Sequence, residues 1–319
     1  MKARAVVNVR AGRQRPRLLA ELRHALGSAA VHLTASLEEL PAAAEAALAA
    51  RPDVVFIGGG DGSFVRVLAA LDRATGARPL PALVPLPWGT GNGLARSLGL
   101  GRPTRAGLDR ALAHARSGAR RSWPLVEVLG LRAPFAGFGI DAAIITDHAR
   151  VRAWLPAHLP GAGALAYALS VPLRSLPAFA LRARAIVRAV ALAPATTLAP
   201  DGHALRTWAA GDTIWRGRLT LAACSTVRAF GFGLAMFPLA DGRTDRFVLR
   251  IGDAGLGEIV TRAADAFAGR YFSPRVVDAA ATALALEVDR PQPFEIGGEP
   301  VGEHTRVEVR LAAPVLLAA

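Results

Sequence analysis

Two periods alternate along the first 120 residues. "RAVVNV" (4–9) is a short apolar run of strand character. "PRLLAELRHAL" (16–26) then places leucines at 18, 19, 22 and 26, the stripe of a one-faced helix. "AVHLT" predicts a second strand, and "PAAAEAALAA" (41–50) a helix, with proline in its tolerated first turn. "DVVFIG" is too apolar for an alternating surface strand and predicts a central strand of a parallel sheet. Phe64, Val67, Leu68 and Leu71 follow as the apolar face of a helix that Ser63 would cap. "PALVPLP", the glycine turn "WGTGNG", the helix start "LARSLGL" and the helix "AGLDRALAHARSG" complete the alternation near residue 118. Strand and helix in turn predict an α/β domain over residues 1–122, a parallel sheet flanked by helices.

Beyond residue 123 the pattern changes. "LVEVL", "AIVRAVAL", "RLTLAAC", "RFVLRI", "ALALEV" and "RVEVRLA" are short strand-like runs between Gly, Pro and Asp. Helical stripes are few, at 161–171 and 255–268. Residues 123–319 therefore predict a β-rich, sandwich-like domain, its final segment packing back on the first. The stretch 153–173 carries no formal charge and nearly reaches bilayer-spanning length, but Pro156, Pro160 and Pro172 interrupt it. It predicts a buried or membrane-facing helix and no transmembrane segment.

Composition narrows the setting. Of the 319 residues 52% are apolar, which supports packed cores and excludes a disordered chain. The net charge is +13, and Lys2 is the sole lysine, so the positive charge is arginine spread along the chain. No basic cluster interleaved with aromatics appears, so no nucleic-acid partner is expected, whereas anionic membrane surfaces and phosphorylated ligands are attracted. Cys224 is alone, which excludes a disulfide framework and a cysteine zinc site and fits a reducing, cytoplasmic setting. "MKARAVVNVRAG" holds no apolar run long enough for a signal peptide. The seven histidines show no metal-binding spacing.

The chemistry concentrates in two turns thirty residues apart, "GGDGS" (59–63) and "GTGNG" (89–93). Each follows an apolar strand and precedes a helix, so in a parallel sheet both lie at the carboxyl edge, where such sheets bind ligands. Helix starts offer unpaired N–H groups and a positive dipole end, and glycines let a phosphate approach. Two together suit a polyphosphate. Asp61, next to a phosphate, calls for something positive such as Mg2+ or a donated hydroxyl proton, and Asn92 suits a ribose or base edge. No phosphate-binding G-x-x-x-x-G-K-[ST] is present, neither turn completes G-x-G-x-x-G, and there is no G-x-S-x-G nucleophile elbow.

"GGDGS" with "PLPWGTGNGLARSLGL" resembles the diacylglycerol kinase catalytic-domain family, which includes bacterial lipid kinases and sphingosine kinases and is distantly similar to NAD kinases. Asn8 with Ala11 and Gly12 resembles that family's opening N-P-x-x-G, and Thr34 its nucleotide-contacting threonine. "FAGFGIDAAI" (135–144), "MFPLADGRTDRF" and "IGGEPVG" resemble its second-domain segments. The resemblance implies a nucleotide domain and a β-sandwich with a cleft between them. It implies ATP held by Asn8, Gly12, Thr34, Gly59, Gly60, Asp61, Gly62, Ser63, Gly89, Thr90, Gly91 and Asn92, with Glu299 at the cleft. It implies a carboxylate base, which falls on Asp241 by its following glycine or on Asp245 by its distance from Pro238. The metal ligands are not identified. Gly93 and Gly297 stand where the family carries acids, Ser63 replaces threonine and Val9 replaces proline.

The expected function is an ATP- and Mg2+-dependent lipid kinase, peripheral to the membrane, phosphorylating a hydroxyl of a diacylglycerol-like or sphingoid lipid. Two other readings stay open: a kinase of a soluble hydroxyl compound on the same fold, and a nucleotide- or lipid-binding protein that has lost catalysis. A homodimer is an admissible assembly.

Overall fold

A computed structural model describes residues 1–11, 16–89, 91–155, 165, 166, 169–181, 183–229 and 233–318. Gly12 and Thr90 lie outside these residues, as does most of the apolar stretch 153–173.

The N-terminal part alternates as its pattern predicts. Strands β1 (Ala3–Asn8), β2 (Val31–Thr34), β3 (Val54–Gly59) and β4 (Ala82–Pro87) pair in parallel in the order β2-β1-β3-β4. Every residue of β3 and β4 is buried, as expected of central strands covered on both faces. Helices α1 (Pro16–Leu26), α2 (Leu40–Ala49), α3 (Asp61–Thr75), α4 (Gly93–Ser97) and α5 (Arg105–Ser117) connect them. The Thr104 hydroxyl caps α5 by accepting from Gly107 N at 3.1 Å.

Beyond it the chain is β-rich. Strands β5 (Arg120–Val128), β6 (Leu131–Ala133) and β7 (Phe135–Gly139) lead to helix α6 (Ile140–Trp154). A wide helical turn (Val171–Ser175) and helix α7 (Leu176–Leu181) follow. Then come β8 (Ile186–Ala191), β9 (Ala195–Leu198), β10 (Ala204–Trp208), β11 (Thr213–Arg218), β12 (Leu221–Ser225) and β13 (Phe247–Gly252). Two short helices, α8 (Leu256–Thr261) and α9 (Ala263–Ala268), precede β14 (Val276–Ala281), β15 (Ala283–Ile296) and β16 (Glu299–Ala318). Pairing in this part is antiparallel: β15 joins β16, β7 and β8, and β12 lies between β7 and β13.

β16 links the two kinds of sheet. It runs antiparallel to β15 and β5, and near its end Leu317 pairs in parallel with Leu83 of β4. One hydrophobic core lies under the α/β layers around Phe56, Phe64 and Trp88, and a second lies within the β-rich part around Phe138, Phe247 and Phe294.

Two local readings change. Ser63 does not cap α3: the helix begins at Asp61, three residues earlier than such a cap implies, Gly60 holds the N-cap position with extended backbone, and no side chain caps it. The strand hands over to the helix within one glycine, which puts Ser63 inside the first turn. Helix α6 carries no apolar stripe in sequence, because only Ala142 and Asp147 of its residues are buried.

Candidate active site

The two glycine turns touch. Gly59 O accepts from both Trp88 N and Gly89 N at 2.9 Å, and a Cβ on Gly89 would overlap the backbone of Gly60. That approach is open only to glycine. At the first turn, the amides of Asp61, Gly62 and Ser63 precede the helix's first internal bond, from Phe64 N to Gly60 O.

The polar side chains of the turns have partners other than those expected of them. Asp61, 5% exposed, reaches across to the second turn and accepts from Gly93 N at 2.8 Å and Leu94 N at 3.2 Å. Its positive partner is therefore the start of α4, and one of the two helix starts is already taken by a carboxylate. Burial raises the Asp61 pKa, and the amides of Gly93, Leu94 and Asn92, with the Arg96 charge, pull against that rise. Asn92, left-handed at φ 69°, closes on its own turn: Oδ1 accepts from Gly89 N and Nδ2 donates to Gly89 O. The side chain is a brace of the loop, with both of its groups engaged.

These turns line a cavity of about 390 Å³ through Gly60, Asp61, Gly62, Ser63, Gly89 and Gly91. Apolar side chains of Phe135, Ile144, Ile145, Leu234 and Phe267 line it as well, with Asp141 and His148 among them. Positions 141, 144, 145, 148 and 149 all face it, the spacing of one face of α6. A smaller adjoining pocket, about 150 Å³, holds Asn8, Thr34 and Arg66, and it shares Ser63 and Glu299 with the larger one. Asn8 Nδ2 donates to Ser63 Oγ at 3.0 Å, Thr34 is buried against Val7 O, and Glu299 pairs with Arg66 at 3.2 Å. Asn8, Thr34, Ser63, Glu299 and the glycine turns are thus brought together.

Asp241 and Asp245 are not among the residues lining either pocket. Both are exposed, Asp245 paired with Arg243 at 3.2 Å and Asp241 near Arg246 at 3.9 Å.

One acid that the sequence did not single out, Asp141, lies at the cavity instead, and a second, Glu295, is buried near enough to feel its charge. Asp141 opens α6 and lines the cavity, and neither of its buried carboxylate oxygens has a hydrogen-bond partner. Glu295, fully buried at the end of β15, accepts from Gly298 N at 2.6 Å through one oxygen and leaves the other without a partner. Burial pushes Asp141 up to about 6, against a partial pull from the amides of Ala142 and Asp141 itself. Glu295 is raised well above the usual carboxylate range, first by burial and then by the charges of Asp141 and Asp61. The aspartate of "FGIDAA" was the one available signal. Glu295 had none, because only folding brings β15 beside α6.

The structure also accounts for both glycines that stand in place of acids. A Cβ on Gly93 would overlap Ala229 O. Gly297 has φ +60°, and a Cβ there would sit 2.7 Å from Val65 Cγ2. Neither position has room for a carboxylate.

Comparison with known proteins agrees with this geometry. Residues 2–128 match the family model of the diacylglycerol kinase catalytic domain. No curated protein sequence matches the chain. Among solved structures, a diacylglycerol kinase from Bacillus anthracis str. Sterne is similar at TM-score 0.62 and 14% identity, covering 99% of this chain and 96% of that one. Two candidate diacylglycerol kinases of the same organism give TM-scores of 0.67 and 0.65 at 15% and 16% identity, with the same coverage. At such identities the likeness is one of fold: an α/β part with a parallel sheet, joined to a β-rich part.

Proposed function

We propose, from the match of residues 2–128 to the family model of the diacylglycerol kinase catalytic domain, that the chain transfers the γ-phosphate of ATP to the hydroxyl of a diacylglycerol-like or sphingoid lipid. The observation that carries the proposal is the mixed lining of one cavity: glycine turns suited to phosphate and apolar side chains suited to an acyl chain. Residues 1–122 would form the nucleotide domain and 123–319 the acceptor domain. The α3 first turn seats the phosphates, and the pocket of Asn8, Thr34, Ser63 and Glu299 takes the rest of the nucleotide.

Phosphoryl transfer asks mainly for positioning and charge neutralisation. The acceptor oxygen bonds to phosphorus, the bridging oxygen leaves with ADP, and the hydroxyl proton goes to Asp141, the acid of the cavity beside the buried Glu295. Asp61 is engaged with amides and Glu299 with Arg66, whereas both oxygens of Asp141 lack hydrogen-bond partners. Asp241 and Asp245 take no part in this scheme.

Among the described residues no group of three or more His, Cys, Asp or Glu is placed to hold a metal. Mg2+ needs less, one or two carboxylates together with substrate phosphates. One oxygen of Asp141 fits that mode and leaves the other to accept the proton. Bound there, Mg2+ would offset phosphate charge.

A lipid acceptor would be met at a membrane surface, and no helix among the described residues is long and apolar enough to cross one. The test is a phosphotransfer assay with labelled ATP over a lipid panel, wild type beside Asp61→Asn. Transfer by wild type to one lipid class, lost in the variant, is expected; transfer to no lipid would sink the reading.

A further inference from the structure

We propose that the surface beside the cavity mouth, formed by the end of α6, the 171–181 segment and α8–α9, is a docking face for an anionic lipid bilayer. This rests on the lipid-kinase reading and names the surface from which the acceptor enters.

The face is apolar where a solvated surface would be polar. Trp154 is 87% exposed, Leu181 85% and Leu173 69%, with Val260 and Phe267 also exposed. They do not lie scattered. Helix α6 packs on the 171–175 turn, α7 packs on that turn and on α8, and α9 follows α8 directly. Phe267 of α9 and the Ile144–Ile145 face of α6 line the same cavity, so its mouth opens at this patch. Contiguous exposed apolar surface of this kind marks an interaction site.

Charge selects the partner. The segments of the face, 148–155, 171–184 and 256–268, hold six arginines against two acids, Glu258 and Asp265. That excess suits the negative leaflet of a bilayer, and tryptophan and arginine at its edge suit the headgroup level. A second copy would set the same arginines against each other across a twofold contact, which opposes dimerisation through this face. The apolar lining of the cavity then continues into the hydrocarbon, and a lipid hydroxyl reaches the glycine turns while its chains remain in apolar surroundings.

The experiment is co-sedimentation of the full chain with vesicles of phosphatidylcholine alone and of equal parts phosphatidylcholine and phosphatidylglycerol. Wild type is expected on the anionic vesicles, less so as salt rises, and the Leu173→Asp/Leu181→Asp variant roughly tenfold less. Trp154 gives a second readout: brominated lipid should quench wild-type emission more than that of Trp154→Phe. The kinase reading is checked apart from docking, with a short-chain diacylglycerol in detergent micelles, where the double variant should keep wild-type activity. No binding to anionic vesicles, equal binding to neutral ones, or unchanged binding by a folded double variant would overturn the docking face and leave the kinase reading standing. So would a dimer in sedimentation velocity that the double substitution abolishes. Absence of transfer in micelles by wild type strikes the kinase reading instead.

Discussion

The carboxylate of Asp61, at the first glycine turn, accepts a 2.8 Å hydrogen bond from the amide of Gly93, at the second. With the companion bond from Leu94 N, this makes one acid the clamp that holds two βα units in register. The consequence is testable in Asp61→Asn, where an amide nitrogen must face an amide donor. Buried hydrogen bonds to charge contribute about 1.5–3 kcal/mol, so hydrogen exchange at Gly93 and Leu94 should quicken and turnover should fall about a hundredfold. Unchanged exchange at those two amides would remove Asp61 from this role.

Asn8 illustrates a weaker effect. Its side chain bridges from β1 to Ser63 and, through Oδ1, holds Arg10 N at 2.9 Å. Asn8→Ala removes both bonds from the wall of the smaller pocket without touching the acids of the larger one. Loss of about 1 kcal/mol should raise the KM for ATP roughly fivefold with kcat nearly constant. A change in kcat instead would place Asn8 in the transfer step.

The Asp141–Glu295 pair sets a pH dependence. Both acids have folded pKa values above their unfolded ones, so their contribution to stability is full below the unfolded pKa near 4. For Asp141 it is lost as pH rises to about 6, and for Glu295 the loss extends higher. Metal-free protein should therefore melt at a lower temperature at pH 7 than at pH 5. Asp141→Asn should flatten that slope and add about 1–3 kcal/mol at neutral pH, since a neutral amide is cheaper to bury than a charge. Mg2+ should raise the melting temperature of wild type more than that of the variant. Melting curves across pH, with and without Mg2+, decide the matter; a wild-type melting temperature that climbs from pH 5 to 7 contradicts the assignment.

Much of this was legible in sequence wherever a local period decides the structure. In the α/β part each strand is a short apolar run and each helix a stripe, and "GGDGS" and "GTGNG" mark the bends between them. The boundaries of α1 and α5 fall within a residue of their patterns. What was not legible depends on long-range contact. Helix α6 escapes because its inward face lines a cavity and leaves no buried stripe, and Glu295 reads as one polar residue of a strand until β15 lies against β7. Asp61 shows the intermediate case: the acid was visible, but its partners are amides from a turn thirty residues away.

The glycines at 93 and 297 give the last prediction. From sequence, each reads as a lost acid, so Gly93→Asp or Gly297→Asp would restore a family feature and improve activity. The packing says the opposite. A side chain at 93 must displace Ala229 O, which is backbone, and one at 297 must adopt φ +60° against Val65. Overpacking of this sort costs about 1–3 kcal/mol, and at 297 the left-handed backbone adds a smaller cost, because aspartate tolerates it better than other residues with a Cβ. Both variants should melt at lower temperature and transfer phosphate more slowly than wild type. Gly93→Asp should be further impaired, because its carboxylate would enter beside Asp61, whose Oδ2 lies 3.5 Å from that Cβ. A variant that gained activity without losing stability would contradict this reading of the packing.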